Sequence, residues 1–485
     1  MILRYFLPVL GLLVLISVPA LGQSSGTVRG TITLGDNGQP VHGVLVTILQ
    51  LRRDSYTDKD GKYEFQGVPV GKYDLVAKLR GVPDTVQSIE VKSGDTAVLD
   101  LKLALTGVRE QVTVTSTGEE QVASSSIQSV AVVDSLELAK KNPVSLGETL
   151  DSELGVSKRS FGPGTARPVI RGFDGDRVLV LEDGERIGGL GFQSGDHAEP
   201  LNVLSIDRIE IVKGPATLLY GSNAIGGVVN AISGHDAARP GFTGYLTGLG
   251  GTNRGQWGSN AGLQFGTQKW LFWANGGAQG ASDYETPLHR VPNSFTRAQS
   301  FSGGVGHYGD KFFLSSNYTF DNRHYGIPYD PDEADPEVVF LNPRRHSVQF
   351  KGGFHDVDSF VTAGNFSVQY NDYTHSEIDS FTNEVGTSFG NKTFLYQGVF
   401  DQKKKGRLAG RIGFWGLHRD FESIGDEALA PPTKQIGFAL FALETLELEK
   451  VTLQFGGRLE TNRYSPEPTV SRGLLPDRSF TGFSG

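Results

Sequence analysis

Two neighbouring stretches, Ile206-Asp207-Arg208-Ile209-Glu210-Ile211-Val212-Lys213-Gly214-Pro215 and Tyr220-Gly221-Ser222-Asn223-Ala224-Ile225-Gly226-Gly227-Val228-Val229-Asn230, decide how this chain is read. Each is a short apolar burst bounded by glycine or proline, as expected of brief strands joined by tight turns. Gly221, Gly226 and Gly227 answer to turn geometry, since their spacing is neither a P-loop nor a dinucleotide fingerprint. Upstream, Asp134-x-x-Glu137 and Ser145-x-x-Glu148 have the capping-box form and open short helices. Pro168-Val169-Ile170-Arg171-Gly172 and the hairpin formed by Arg177-Val178-Leu179-Val180-Leu181 and Asp183-Gly184 lie between them. The pattern predicts a mixed α+β unit over 121–233.

Downstream, over 240–485, the period becomes two. Phe312, Leu314, Tyr318 and Phe320 alternate with Ser315, Asn317 and Thr319. Phe366, Val368 and Tyr370 alternate with Asn365, Ser367 and Gln369, and Val451, Leu453, Phe455 and Leu459 with Thr452, Gln454, Arg458 and Glu460. Apolar on one face and hydrophilic on the other describes a strand between lipid and a wet lumen, although a half-buried soluble sheet alternates too. The unit that precedes the strands decides between them.

That unit resembles the plug of TonB-dependent outer-membrane receptors, through "RGFDGDRVLVLEDG" and "IDRIEIVKGPATLLYGSNAIGGVVN" in their spacing. The resemblance implies a mainly β protein: a plug inside a transmembrane β-barrel in a Gram-negative-type outer membrane, bathed by outer-membrane lipid. Such barrels have about 22 strands of roughly 9–11 residues each, so the residues after Asn230 supply about half, and the sequence is expected to continue past Gly485. Arg167, Arg171, Arg177 and Arg208 carry planar donor forks suited to carboxylates on the barrel wall, with pairs inside the plug the equal alternative.

At the N-terminus, Arg4, the apolar run from Tyr5 to Val18 and Ala20-Leu21-Gly22 have the form of a signal peptide, 1–22, cleaved before Gln23. Over 26–104, short alternating bursts such as Val28-Arg29-Gly30-Thr31-Ile32 and Val44-Leu45-Val46-Thr47-Ile48 are separated by turns such as Asp58-Lys59-Asp60-Gly61, predicting a small β-sandwich. "GTVRGTI", "PVHGVLVTI" and "TDKDGKYEFQGVPVGKYDL" resemble the carboxypeptidase-regulatory-like (transthyretin-like) domain. A peptidase does not follow, because no His-x-x-Glu or His-Glu-x-x-His pair occurs in the chain.

The linker, 105–120, is polar except for Glu110-Gln111-Val112-Thr113-Val114-Thr115, which resembles a TonB box. Its alternating β-branched residues suit strand addition to the edge of a partner's sheet. The partner so implied is the TonB C-terminal domain with its inner-membrane energising complex.

Composition removes several other functions. A net charge of -9 with no clustered basic surface argues against nucleic acid as a partner. Lys403-Lys404-Lys405 reads as a solvated turn. With no Cys and a single Met, thiolate and thioether metal sites are excluded, so a bound metal must rest on His and carboxylates. No catalytic constellation stands out, and neither an enzyme nor a resident cofactor is expected. A passive porin or a surface binding protein is the competing class, but a porin needs neither plug nor TonB box. Active import of a scarce ligand is what the resemblance implies.

The loop Gln193-Ser194-Gly195-Asp196-His197-Ala198-Glu199-Pro200, with "FGPGTARPVIRGFDGDRVLVLEDG" and "YGIP" at Tyr325 to Pro328, resembles the zinc-receptor branch, whose plug carries an Asp-His pair. The resemblance makes Zn²⁺ the expected cargo and Asp196 and His197 its plug ligands, with Glu199 and His324 as weaker candidates. That branch often has a His-rich barrel loop where this chain has Asp330, Asp332, Glu333, Asp335 and Glu337. A siderophore, cobalamin or glycan is the alternative cargo.

Overall fold

A computed structural model describes residues 25–485 except 36–37, 80–81, 104–111, 114–120, 123–125, 127, 142, 236, 239, 426–427, 429, 449–450 and 470–472. The signal-peptide region lies outside the described residues, as do Glu110, Gln111, Val114 and Thr115.

The N-terminal unit packs two sheets face to face. One centres on Ser25–Leu34, paired with Gln39–Pro40, Lys62–Pro69, Thr96–Val98 and Leu101–Leu103; the other runs in the order Arg53–Tyr56, Leu45–Ile48, Gly71–Leu79, Val82–Val91. Period-two alternation turns Val28, Ile32, Val46, Ile48, Phe65 and Leu75 into one shared core.

The second unit is built on a five-stranded sheet in the order Ser129–Asp134, Arg208–Lys213, Gly227–Ile232, Val178–Glu182, Glu185–Arg186. Arg208–Lys213 runs antiparallel to Gly227–Ile232, so the two stretches that opened the reading lie side by side in mid-sheet, with Val178–Glu182 parallel on the far side of Gly227–Ile232. Ile170, Ile209, Ile211 and Val229 are fully buried beneath them. Helix Ser135–Lys141 starts as expected, with Asp134 Oδ1 accepting from the Glu137 N–H at 2.9 Å. Helix Leu146–Leu150 does not: Ser145 makes no side-chain cap. The Glu148 carboxylate instead accepts from the Val144 N–H at 3.3 Å and from Arg254 of the barrel at 3.0 and 3.2 Å, a bidentate pair.

The third unit is a 13-stranded antiparallel sheet with Gly241–Gly251 and Arg478–Ser484 as its edges. Its long members include Phe312–Gly326, Val361–Asp379, Val385–Gln402 and Leu408–Gly425. Burial along them is inverted relative to a soluble sheet. Phe366 and Tyr370 are 48% and 43% exposed, whereas Ser367 and Gln369 between them are 6% and 2% exposed. Polar side chains therefore face the second unit and apolar ones face outward. This is a partial transmembrane barrel wall around a plug, and it resolves the ambiguity of period two. No helix among the described residues is long and apolar enough to cross a membrane, so crossing falls to strands. Short turns at 267–269 and 309–311 mark the periplasmic end, and long connections at 282–295 and 327–338 mark the outer end.

A charge on the outward face should therefore be costly. Phe366→Arg, six residues into its strand from the periplasmic end, is expected to destabilise the barrel by ~2–4 kcal/mol in lipid vesicles. Urea unfolding curves that overlay wild type would contradict a lipid-facing Phe366.

Plug and barrel meet through polar contacts, and of the two roles open to the plug arginines, Arg167 and Arg208 show pairs inside the plug. Arg167 donates to the carbonyls of Gly191 and Ser194 and to Asp174, all within the plug, and Arg208 pairs with Glu210 beside it. Arg171 has a left-handed backbone (φ 49°) and its side chain lies near Gly214, while the Arg177 carbonyl accepts from the Gly226 N–H. Guanidiniums that bridge the two bodies come from the barrel, Arg254 to Glu148, Arg345 to Glu182 and Arg323 to the Leu201 carbonyl, and from the plug, where Arg186 stacks on Trp415 at 4.9 Å. Burial lifts the plug carboxyl of Glu185 to about 7, although Ser367, Lys351 and Gln397 oppose the shift.

Candidate metal centre

The loop that carries His197 has no regular secondary structure and lies at the outer end of the plug. His197 is 2% exposed there. Opposite, on Val361–Asp379, the inward phase set by Ser367 and Gln369 continues through Asn371, Tyr373, His375 and Glu377, all buried. Residues two apart on a strand share a face, so His375 and Glu377 both point at the plug. His197 Nε2 lies 3.2 Å from His375 Nε2 and 3.1 Å from Glu377 Oε1. The three residues offer one donor atom each, all within 4.8 Å of one another.

On the far side of the ring, His197 Nδ1 lies 3.3 Å from the Leu190 carbonyl, which can only accept. Nε2 faces a carboxylate and a second imidazole nitrogen, all three groups of the types that ligate Zn²⁺. Two donors each about 2.0–2.1 Å from a tetrahedral Zn²⁺ stand roughly 3.3–3.4 Å apart, close to the separations here. His375 Nδ1 and Glu377 Oε2 have no hydrogen-bond partner among the described residues.

The surroundings are apolar. His375 stacks on Phe389 at 4.4 Å and 9°, and Leu190, Tyr373 and Phe421 form a buried cluster joined by Phe192. Exclusion of water strengthens any interaction between the three donors and a cation.

The other candidates fall outside the cluster. Asp196 is not among the clustered donors, and its carboxylate accepts from Ser194 Oγ. Glu199 packs against Gly189 and Gly191, where burial raises its carboxyl to about 7 despite Arg167, Arg323, Arg345 and His197. It borders the site without belonging to the triad. His324 lies out of phase: Arg323 and Tyr325 face inward, which turns His324 outward between Phe295 and Phe340. The loop residues Asp330, Asp332, Glu333, Asp335 and Glu337 are all exposed. The barrel donors that sequence reading missed, His375 and Glu377, were marked by the alternation already read at Ser367 and Gln369.

Comparison with known proteins gives the class. Residues 122–228 match the TonB-dependent receptor plug domain, and residues 27–104 match the carboxypeptidase regulatory-like domain. With the barrel sheet around that plug, the chain has the plug-and-barrel-wall architecture of TonB-dependent receptors. Among curated relatives, it is 31% identical over 232 residues to the vitamin B12 transporter BtuB of Photobacterium profundum, covering 46% of this chain and 38% of that protein. It is 34% identical over 136 residues to an iron-regulated outer membrane virulence protein of Vibrio cholerae, covering 26% and 20% respectively. The chain thus spans well under half the length of these relatives. Among solved structures, the copper transporter OprC aligns with a TM-score of 0.62 at 15% identity, over 73% of this chain and 59% of that one. The ferric yersiniabactin uptake receptor FyuA of Yersinia pestis aligns at 0.55 and 14%, over 75% and 61%. At such identities the likeness is one of fold.

Proposed function

We propose that this chain belongs to an importer that carries a divalent transition metal, zinc foremost, across the outer membrane at the expense of TonB-transmitted energy. The observation that carries the reading is the His197–His375–Glu377 triad. Its donors come from two bodies, plug and barrel, and the two pairs that include His197 stand near the separation a tetrahedral ion requires, with all three donors within 4.8 Å of one another. A cation bound there is released when the plug moves, since displacing His197 dismantles the ligand set without any chemical step. Arg254, Arg323 and Arg345 hold the plug through contacts that can break and re-form, which suits that movement.

Zinc is favoured over Cu(I) by donor chemistry. Soft sulfur ligands select Cu(I), and this chain has no Cys and only the initiator Met1, whereas imidazole and carboxylate suit Zn²⁺. A second reading, cobalamin or a ferric siderophore, is favoured by the names of the relatives above, while a glycan has no such support.

Uptake of radioactive zinc by cells carrying the whole receptor separates these readings. Expected are zinc accumulation that requires TonB, is undiminished by excess cobalamin or ferric siderophore, and weakens as pH is lowered and protons compete for the imidazoles. Accumulation of cobalamin or siderophore without zinc would overturn the metal assignment and leave the transporter class intact.

A further inference from the structure

We infer that Tyr325 is a positioning residue for the metal centre: its hydroxyl clamps the plug loop on both sides of His197 and thereby sets where Nε2 points. The inference rests on the metal reading above. Tyr325 lies on the barrel strand Phe312–Gly326 and is 1% exposed. Its hydroxyl donates to the Asp196 carbonyl at 2.9 Å and accepts from the Ala198 N–H at 2.9 Å. Donor and acceptor capacity are thus both spent on the two peptides that flank His197.

The loop needs such a clamp. His197 lies in no helix or strand, and its own ring bond to Leu190 is long, at 3.3 Å. Around the clamp, Ala198, Tyr325 and Leu341 form a buried cluster with Ile327 and Val339 beside it, so no water is at hand to replace a lost hydroxyl. Without that hydroxyl the Asp196 carbonyl and the Ala198 N–H must find other partners, and the peptide between them turns with His197 attached. The barrel therefore supplies two ligands, His375 and Glu377, and fixes the orientation of the third. A seated plug and a formed site become one condition.

The test uses Tyr325→Phe in the whole receptor, with Zn²⁺ and Co²⁺ as probes. Zinc affinity measured by calorimetry should fall about tenfold, the usual scale for losing a group that orients a metal ligand. The visible spectrum of bound Co²⁺ should change in intensity or position, a readout that general loss of stability does not produce. Lys351→Met is the comparator, because Lys351 also ties barrel to plug, through the Asp183 carbonyl at 2.6 Å, without touching the His197 loop. It should bind zinc like wild type. Ala198→Pro deletes one of the two bonds from the plug side and should weaken zinc in the same direction, giving a second route if the Phe variant does not assemble. Wild-type affinity and spectrum in Tyr325→Phe, or equal weakening in Lys351→Met, overturns the positioning role while the metal site stands. Absence of zinc binding in wild type overturns the metal reading and this inference with it.

Discussion

Replacing His375 with alanine should weaken zinc binding by the whole receptor about a hundredfold, and His197→Ala should match it. Closed zinc sites made of four protein ligands yield roughly 10–16 kcal/mol, so each ligand is worth about 3 kcal/mol, or around two decades in Kd. Glu377→Gln keeps the shape of the side chain and removes its charge, and should cost about as much. The discriminating comparison is Asp196→Ala. Its carboxylate bonds to Ser194 and not to the triad, so zinc affinity should change less than threefold. Calorimetry on the four variants at one pH decides the matter. Wild-type affinity in His375→Ala, or a hundredfold loss confined to Asp196→Ala, would return the site to the loop motif and remove the barrel from it.

How much of this was legible beforehand depends on what kind of information each residue carries. The plug strands were readable because glycines and β-branched runs fix local geometry wherever they occur, and Val178, Ile209 and Val229 are buried at the positions their pattern implies. His197 was readable for the same reason, since its loop has a recognisable spelling. Its partners lie 178 and 180 residues away, a distance no local pattern spans. One signal did reach them. The phase read at Ser367 and Gln369 carries forward by twos to His375 and Glu377, and a zinc search restricted to inward residues would have met two donor side chains in succession. The same rule would have dismissed His324, whose neighbours Arg323 and Tyr325 hold the inward positions.

The plug arginines were legible only as far as two alternatives. Side-chain chemistry suits Arg167, Arg171, Arg177 and Arg208 equally to the barrel wall and to pairs inside the plug, because chemistry does not specify which acceptor is nearest. Turn carbonyls at Gly191 and Ser194 reach Arg167 before any barrel residue can. The barrel arginines point into the lumen from a rigid sheet and meet the plug there, Arg323 while also pairing with Asp321 on its own strand. Arg345 is 1% exposed and bonds both Glu182 and the Ile187 carbonyl.

Val114→Pro should abolish energy-dependent zinc uptake, to the level seen without TonB, while leaving zinc affinity at the triad unchanged. Strand addition to TonB draws its affinity from main-chain hydrogen bonds, and proline removes a donor from the ladder. Within the described part of the segment, Val112–Thr113 pairs with Gln121–Val122 across only two residue pairs, Val112 with Val122 and Thr113 with Gln121. A two-stranded ladder so short is marginal in water, at about 1 kcal/mol net per hydrogen bond, so a partner's longer sheet edge can replace it. Val114 itself lies outside the described residues. Binding should survive because the triad sits at the outer end of the plug, held by contacts from the barrel and not by the linker. The paired measurement is uptake in energised cells against calorimetric affinity on the purified receptor. Normal uptake by Val114→Pro would show that this segment is not the site of energy coupling, and parallel loss of uptake and affinity would show that the substitution had disturbed the plug.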